Sequence, residues 1–190
     1  MRYHNDYLKR LPAEYYRGQA YVHWSMAMHD RKTGWLGPVF YYKFRELLTH
    51  ALFRYGLCCP IFCCMPDHIH MLWLGILSGS DQRVAMQHFR KHVNSVLRKS
   101  NTQLQDQPYD HVLKDEQRKE EAFTSLADYI ARNPERAGLV EPDGYASYAF
   151  TSCLIPGYPE LKPFQHDYWP RFWRAYSFMA KNGMMRLRES

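Results

Sequence analysis

The run Met65-Pro-Asp-His-Ile-His-Met-Leu-Trp-Leu74 opens as a turn and continues as a strand. Pro66 and Asp67 are turn residues, and the apolar stretch from His68 to Leu74 reads as a buried strand. Alternate side chains of a strand share a face, so His68 and His70 point the same way, with Cα atoms roughly 6–7 Å apart. Two imidazoles so placed can share one metal ion, while Ile69 between them anchors the opposite face in a core. With ten His among 190 residues an H-x-H also arises readily by chance. Two ordinary histidines of a half-buried strand are therefore the competing account.

Working outward, Leu57–Met65 reads as an antiparallel partner reached through the Pro66-Asp67 turn. Its Cys58-Cys59 and Cys63-Cys64 pairs, with Cys153 apart, lack the second knuckle that a zinc site needs, so they read as small buried hydrophobes. Tyr21–Met28 gives an earlier strand, ended by the turn-like Asp30–Gly34. Phe40, Phe44, Leu47, Leu48, Ala51 and Leu52 mark an amphipathic helix over Phe40–Tyr55, closed by Gly56. A second helix spans Asp81–Lys99, with Val84, Phe89, Val93, Val96 and Leu97 as its apolar positions. Its other face carries Arg83, Arg90, Lys91, Arg98 and Lys99, which either tracks phosphates or is simply solvated. His88 and His92 lie i, i+4 there without an evident third ligand, and read as surface polar residues. Tyr109–Lys114 is a fourth strand. The order is β-α-β-β-α-β, the α+β antiparallel sheet of ferredoxin-like folds, which by itself hosts many functions.

A further helix follows over Glu120–Asn133, with Phe123, Leu126, Ala127 and Ile130 as its core stripe. Tyr129 and Asn133 are four apart on one flank, and Pro134 is expected to stop the helix at Asn133, leaving that amide at an open end. A hydroxyl nucleophile beside a neutral oxygen ligand is one reading; a tyrosine at the margin of an amphipathic helix is the other.

Three segments taken together resemble a known family. Met65-Pro-Asp-His-Ile-His70, Tyr109-Asp-His-Val-Leu-Lys114 and Tyr129-Ile-Ala-Arg-Asn-Pro-Glu-Arg-Ala-Gly-Leu-Val140 match, in order and spacing, the single-tyrosine HUH endonucleases. The match is to the REP-associated tyrosine transposases and related insertion-sequence transposases in particular. It covers roughly residues 21–140, with a weaker echo over 145–161. The departure is the loop Gln105-Asp-Gln-Pro108, where relatives often carry a Trp-Gln pair. The resemblance implies a ferredoxin-like sheet with an added nucleophile helix. It implies His68, His70 and Asn133 as ligands of a divalent ion, Mg²⁺ or Mn²⁺, and Tyr129 as the nucleophile that becomes linked to a 5′ phosphate of single-stranded DNA.

Around this domain the chain divides into residues 1–20, a basic arm, and 141–190, an extension with an aromatic helix. The arm holds Lys9, Arg10 and Arg17, and it either lies on a DNA backbone or is a solvated lead-in. Arg83, Arg90, Lys91, Arg98, Arg132 and Arg136 complete the candidate DNA-binding cations. Cys153–Pro163 is rich in Pro and Gly and reads as irregular, and the aromatics of Pro163–Met185 read either as a docked helix or as a stacking surface for bases. Net charge is +6 and pI about 9.0, which favours a polyanionic partner; 46% hydrophobic residues argue against disorder. No apolar run is long enough for a membrane span and no signal peptide is evident, so a cytoplasmic, nucleoid-associated protein is expected, monomer or homodimer.

A free phenol has a pKa near 10, so only about one in a thousand is ionised at pH 7, and a catalytic tyrosine must be activated or held in line. The expected activity is a transposase-like, metal-dependent endonuclease and strand transferase acting on single-stranded DNA at or near a hairpin. Two other classes stay open: a binding module for single-stranded DNA or RNA, displaying Trp73 and Tyr109, and a small hydrolase using water at His68 and His70.

Overall fold

The computed structural model describes residues 10–184. Five antiparallel strands form one sheet: β1 (Tyr21–Ala27), β2 (Leu57–Cys64), β3 (His68–Gly75), β4 (Tyr109–Val112) and β5 (Thr151–Leu154), in the order β4-β1-β3-β2-β5. The helices are α1 (Pro38–Tyr55), α2 (Gln82–Leu97), α3 (Glu120–Ala131), the single turn α4 (Asn133–Arg136) and α5 (Tyr168–Asn182). Strands one to four with α1 and α2 are the expected ferredoxin-like unit. β5 was hidden by its Pro- and Gly-rich surroundings, and it adds to the far edge beside β2.

Both sheet faces are covered. Val22, Trp24 and Met26 of β1, Phe62 of β2, and Ile69, Met71 and Trp73 of β3 pack under α1 and α2. Cys58, Ile61, Cys63, Leu72 and Leu74 face the other way, against Phe123, Ala127 and Ile130 of α3 and Tyr168, Phe172 and Tyr176 of α5. The C-terminal aromatics thus dock on the core. All five cysteines are buried free thiols, as small hydrophobes should be.

Local chemistry fixes the elements. Gly56 takes the left-handed conformation (φ 63°) that ends α1. A side chain on Gly75 would overlap the carbonyl of Gly18, so only glycine lets the chain entering β1 pass the end of β3. Asp81 caps α2 by accepting from the amides of Arg83 and Val84. Gln82 then fastens that end: its amide donates to the carbonyls of Ala20 and Trp73, and its oxygen accepts the Trp24 indole N–H at 3.1 Å.

Several expectations need correction. The inward face of α2 is Gln82, Ala85, Met86, Phe89, Val93 and Leu97; Val84 is 48% exposed, because the Asp81 cap and Gln82 set the phase of the helix. The start of the chain is not a loose lead-in from Arg10 on. Tyr16 is fully buried with its hydroxyl on Asp110, and Arg10 pairs with the same carboxylate at 3.1 Å. Trp73 is fully buried, so it offers no platform for bases. α3 stops at Ala131, and Asn133 opens the turn α4 instead of ending the helix, with Pro134 seated in that first turn, where a missing N–H costs nothing.

Candidate active site

The site lies on the α3 side of the sheet. Strand alternation and register put His68 and His70 of β3, His23 and Ser25 of β1, and Tyr109 and His111 of β4 on this one face. His70, Ser25 and Tyr109 form a row across three strands, and Leu72, His23 and His111 form the next.

The Nε2 atoms of His68 and His70 stand 3.0 Å apart. Two nitrogens bound to one ion at about 2.1 Å and a right angle would be about 3.0 Å apart, so the pair fits a shared divalent ion. Each imidazole is held from behind. His68 Nδ1 lies 2.6 Å from the Asp67 carboxylate, which Arg31 also contacts at 3.0 Å. His70 Nδ1 lies 3.1 Å from His23 Nε2. Burial, then the neighbouring His23 and His68, pushes His70 down to about 3; burial, then His111, pushes His23 down to about 4. Both rings are therefore neutral at pH 7, and neutral imidazole is the form that ligates. Burial works to raise the Asp67 carboxyl, but the hydrogen bond and charge of His68, with Arg31 beyond, hold it below the usual range.

Tyr129 comes down on this pair from α3. Its ring centroid is 6.2 Å from that of His70, and the residue is 40% exposed, so it is reachable from solvent. The Arg136 guanidinium sits 4.3 Å from the Tyr129 ring centroid. The Asn133 amide nitrogen donates to the carbonyls of Tyr129 (2.9 Å) and Ile130 (3.2 Å), back along the chain toward α3. Among the described residues no three His, Cys, Asp or Glu side chains are grouped to hold an ion.

The basic residues divide into one group and several separate positions. Arg10, Arg17, Arg83 and Arg90 line one open cavity of about 700 Å³ by the start of α2. Arg17 pairs with Asp81, and Arg90 donates to the carbonyls of Gln105 and Asp106, holding the loop in which relatives carry Trp-Gln. Lys91 and Arg98 are exposed on and just beyond α2. Arg132 is engaged by Asp128, Glu135 and Asp143 and lies over the Tyr145 ring. Lys9 lies outside the described residues. His50 and Glu46 of α1 share a cleft with His88 and His92, but His92 Nδ1 donates to the His88 carbonyl, within its own helix.

Sequence reading missed His23, which sits in an otherwise apolar strand pattern, and saw Asp67 only as a turn residue. Knowing that β1 pairs with β3 would have revealed His23; its own neighbours could not.

Neither a family model nor a curated protein matches the chain. Among solved structures it matches a REP-associated tyrosine transposase bound to a REP hairpin, with TM-score 0.62 and 16% identity over 75% of this chain and 82% of that one. The chain has the fold of that transposase. The strand order places β4, with its exposed Tyr109, at one edge of the sheet beside β1. No helix among the described residues is long and apolar enough to cross a membrane.

Proposed function

We propose that this protein is a metal-dependent endonuclease and strand transferase of single-stranded DNA, working beside a hairpin through a 5′-phosphotyrosine at Tyr129. The observation that carries this reading is the convergence of Tyr129, from α3, on the His68–His70 pair of β3. The structural neighbour's hairpin supports hairpin-bearing DNA as the partner, which would place the protein at the nucleoid.

Each residue has a task. Tyr129 Oη attacks the phosphorus of a phosphodiester, its proton passing to water, while the P–O3′ bond opens and the 3′ oxygen leaves as a hydroxyl. The downstream strand stays on Tyr129 through its 5′ phosphate. Attack on that linkage by another 3′ hydroxyl reverses the step and joins strands without ATP. Arg136 brings positive charge beside the attacking ring. His68, His70 and the Asn133 oxygen would hold a divalent ion, which supplies charge stabilisation at the phosphate when bound. A duplex fixes its backbone away from so recessed a pair of imidazoles, so the cut strand is unpaired.

The test uses hairpin oligonucleotides with a single-stranded flank and the matching blunt duplex, in Mn²⁺ or Mg²⁺ and in EDTA. Cleavage should require the unpaired flank and the ion. Undiminished cutting in EDTA, or equal rates on the blunt duplex at the same salt, contradicts the proposal.

A further inference from the structure

We propose that His23 is a positioning residue for the metal site: its Nε2 accepts the Nδ1–H of His70, fixing the tautomer whose Nε2 lone pair faces His68. The inference rests on the ion-binding reading above and adds to it a third histidine, from a different strand.

The geometry is specific. His23 and His70 are not direct cross-strand partners; His23 lies opposite Leu72, and its ring reaches diagonally to His70 with centroids 5.2 Å apart. Both residues are less than a tenth exposed, so water does not compete for the contact. Asp67 makes the matching arrangement at His68, where a carboxylate can only accept and so takes the Nδ1–H. In the neutral ring, the form that ligates, that leaves a lone pair on His68 Nε2. If His23 also accepts, His70 Nε2 carries a lone pair too. Two lone pairs 3.0 Å apart repel unless positive charge lies between them. The opposite arrangement, with His23 donating to His70 Nδ1, would put the proton on His70 Nε2, where it would bond His68 and block an ion. One hydrogen's position on the His23–His70 contact thus decides whether the pair can ligate, and partners behind a ligating imidazole commonly set that choice.

The experiment compares wild type with His23→Phe, which keeps an aromatic ring but removes the acceptor, and with His23→Gln, whose amide oxygen restores one. Mn²⁺ affinity is measured by electron paramagnetic resonance, and histidine tautomers by long-range ¹H–¹⁵N spectra of Mg²⁺-loaded, ¹⁵N-histidine-labelled protein. Wild type should show His70 protonated on Nδ1. His23→Phe should lose that single tautomer and bind Mn²⁺ roughly 10- to 100-fold more weakly, and His23→Gln should recover most of the affinity. A wild-type His70 protonated on Nε2 overturns the inference, whether or not His23→Phe folds. So does a folded His23→Phe with unchanged affinity. Wild type that binds no Mn²⁺ removes the metal reading itself, and this inference with it.

Discussion

The two faces of the sheet are built from the same strands and carry different side chains. Toward α1 and α2, the strands present Val22, Trp24, Met26, Phe62, Ile69, Met71 and Trp73, all essentially fully buried. Toward α3 and α5 the same strands are apolar only in part. Leu72, Leu74 and Ile61 lie under the helices, while His68, His70, His23 and His111 form a polar patch running to the β4 edge. A sheet with one fully apolar face is held firmly enough to keep buried imidazoles on the other. Under the proposed function, stability and chemistry are separated across a single layer of backbone.

That separation can be broken deliberately. Trp24→Ala should produce the largest change in stability, about 3–5 kcal/mol, because it opens a cavity against Trp73 and leaves the Gln82 oxygen without its donor. His70→Ala, on the opposite face of the adjacent strand, should cost only about 1–2 kcal/mol while abolishing cleavage. Urea melts of both variants beside their nicking rates measure the contrast; equal losses of stability would erase it.

Tyr109 sharpens the comparison at the open end. It is 51% exposed, on the imidazole face, one strand beyond Ser25. If it stacks a base of the bound strand, Tyr109→Ala should weaken single-strand binding by about 1–3 kcal/mol with little effect on melting. Fluorescence anisotropy with a labelled unpaired oligonucleotide checks this, and unchanged affinity would remove Tyr109 from the interface.

The last test concerns the apolar side at high pH. Burial, then the Asp110 hydrogen bond and charge, push the Tyr16 hydroxyl up to about 12. A pKa raised by folding gives stability that is complete below the unfolded value, near 10, and lost as pH rises through the folded one. The melting temperature should therefore fall between about pH 10 and 12, and Tyr16→Phe should flatten that part of the curve. An unaltered slope would mean that Tyr16 does not report on this packing.

Periodicity made the two faces legible where one strand or helix could be read alone. The β3 alternation exposed the His68–His70 pair, and the stripe Phe123, Leu126, Ala127, Ile130 placed Tyr129 on the rim of α3. Features that depend on pairing were invisible. His23 meets His70 only through the register of β1 against β3, and β5 joins the sheet only through β2. Asp67 was read for its turn, and Asn133 as an oxygen ligand at the open end of a helix. The first proved also to be a hydrogen-bond partner of His68, and the second a helical residue, because Pro134 fits inside a new first turn as well as it ends an old helix. The phase of α2 differs at Val84 because the Asp81 cap and the buried Gln82 amide set it, turning Ala85, Met86, Phe89, Val93 and Leu97 inward.

The central claim is that the α3 tyrosine attacks across the imidazole patch, and a denaturing gel tests it most directly. Wild type is incubated with Mn²⁺ and oligonucleotides labelled on either side of the cut. The protein band should shift and carry only the downstream fragment, joined by its 5′ phosphate to Tyr129. Tyr129→Phe keeps the ring against His70 and Arg136 but lacks the oxygen, so it should bind metal and DNA nearly as wild type does and form no adduct. An adduct in Tyr129→Phe, or none in wild type, would contradict the account and leave either a hydrolase using water or a binding module.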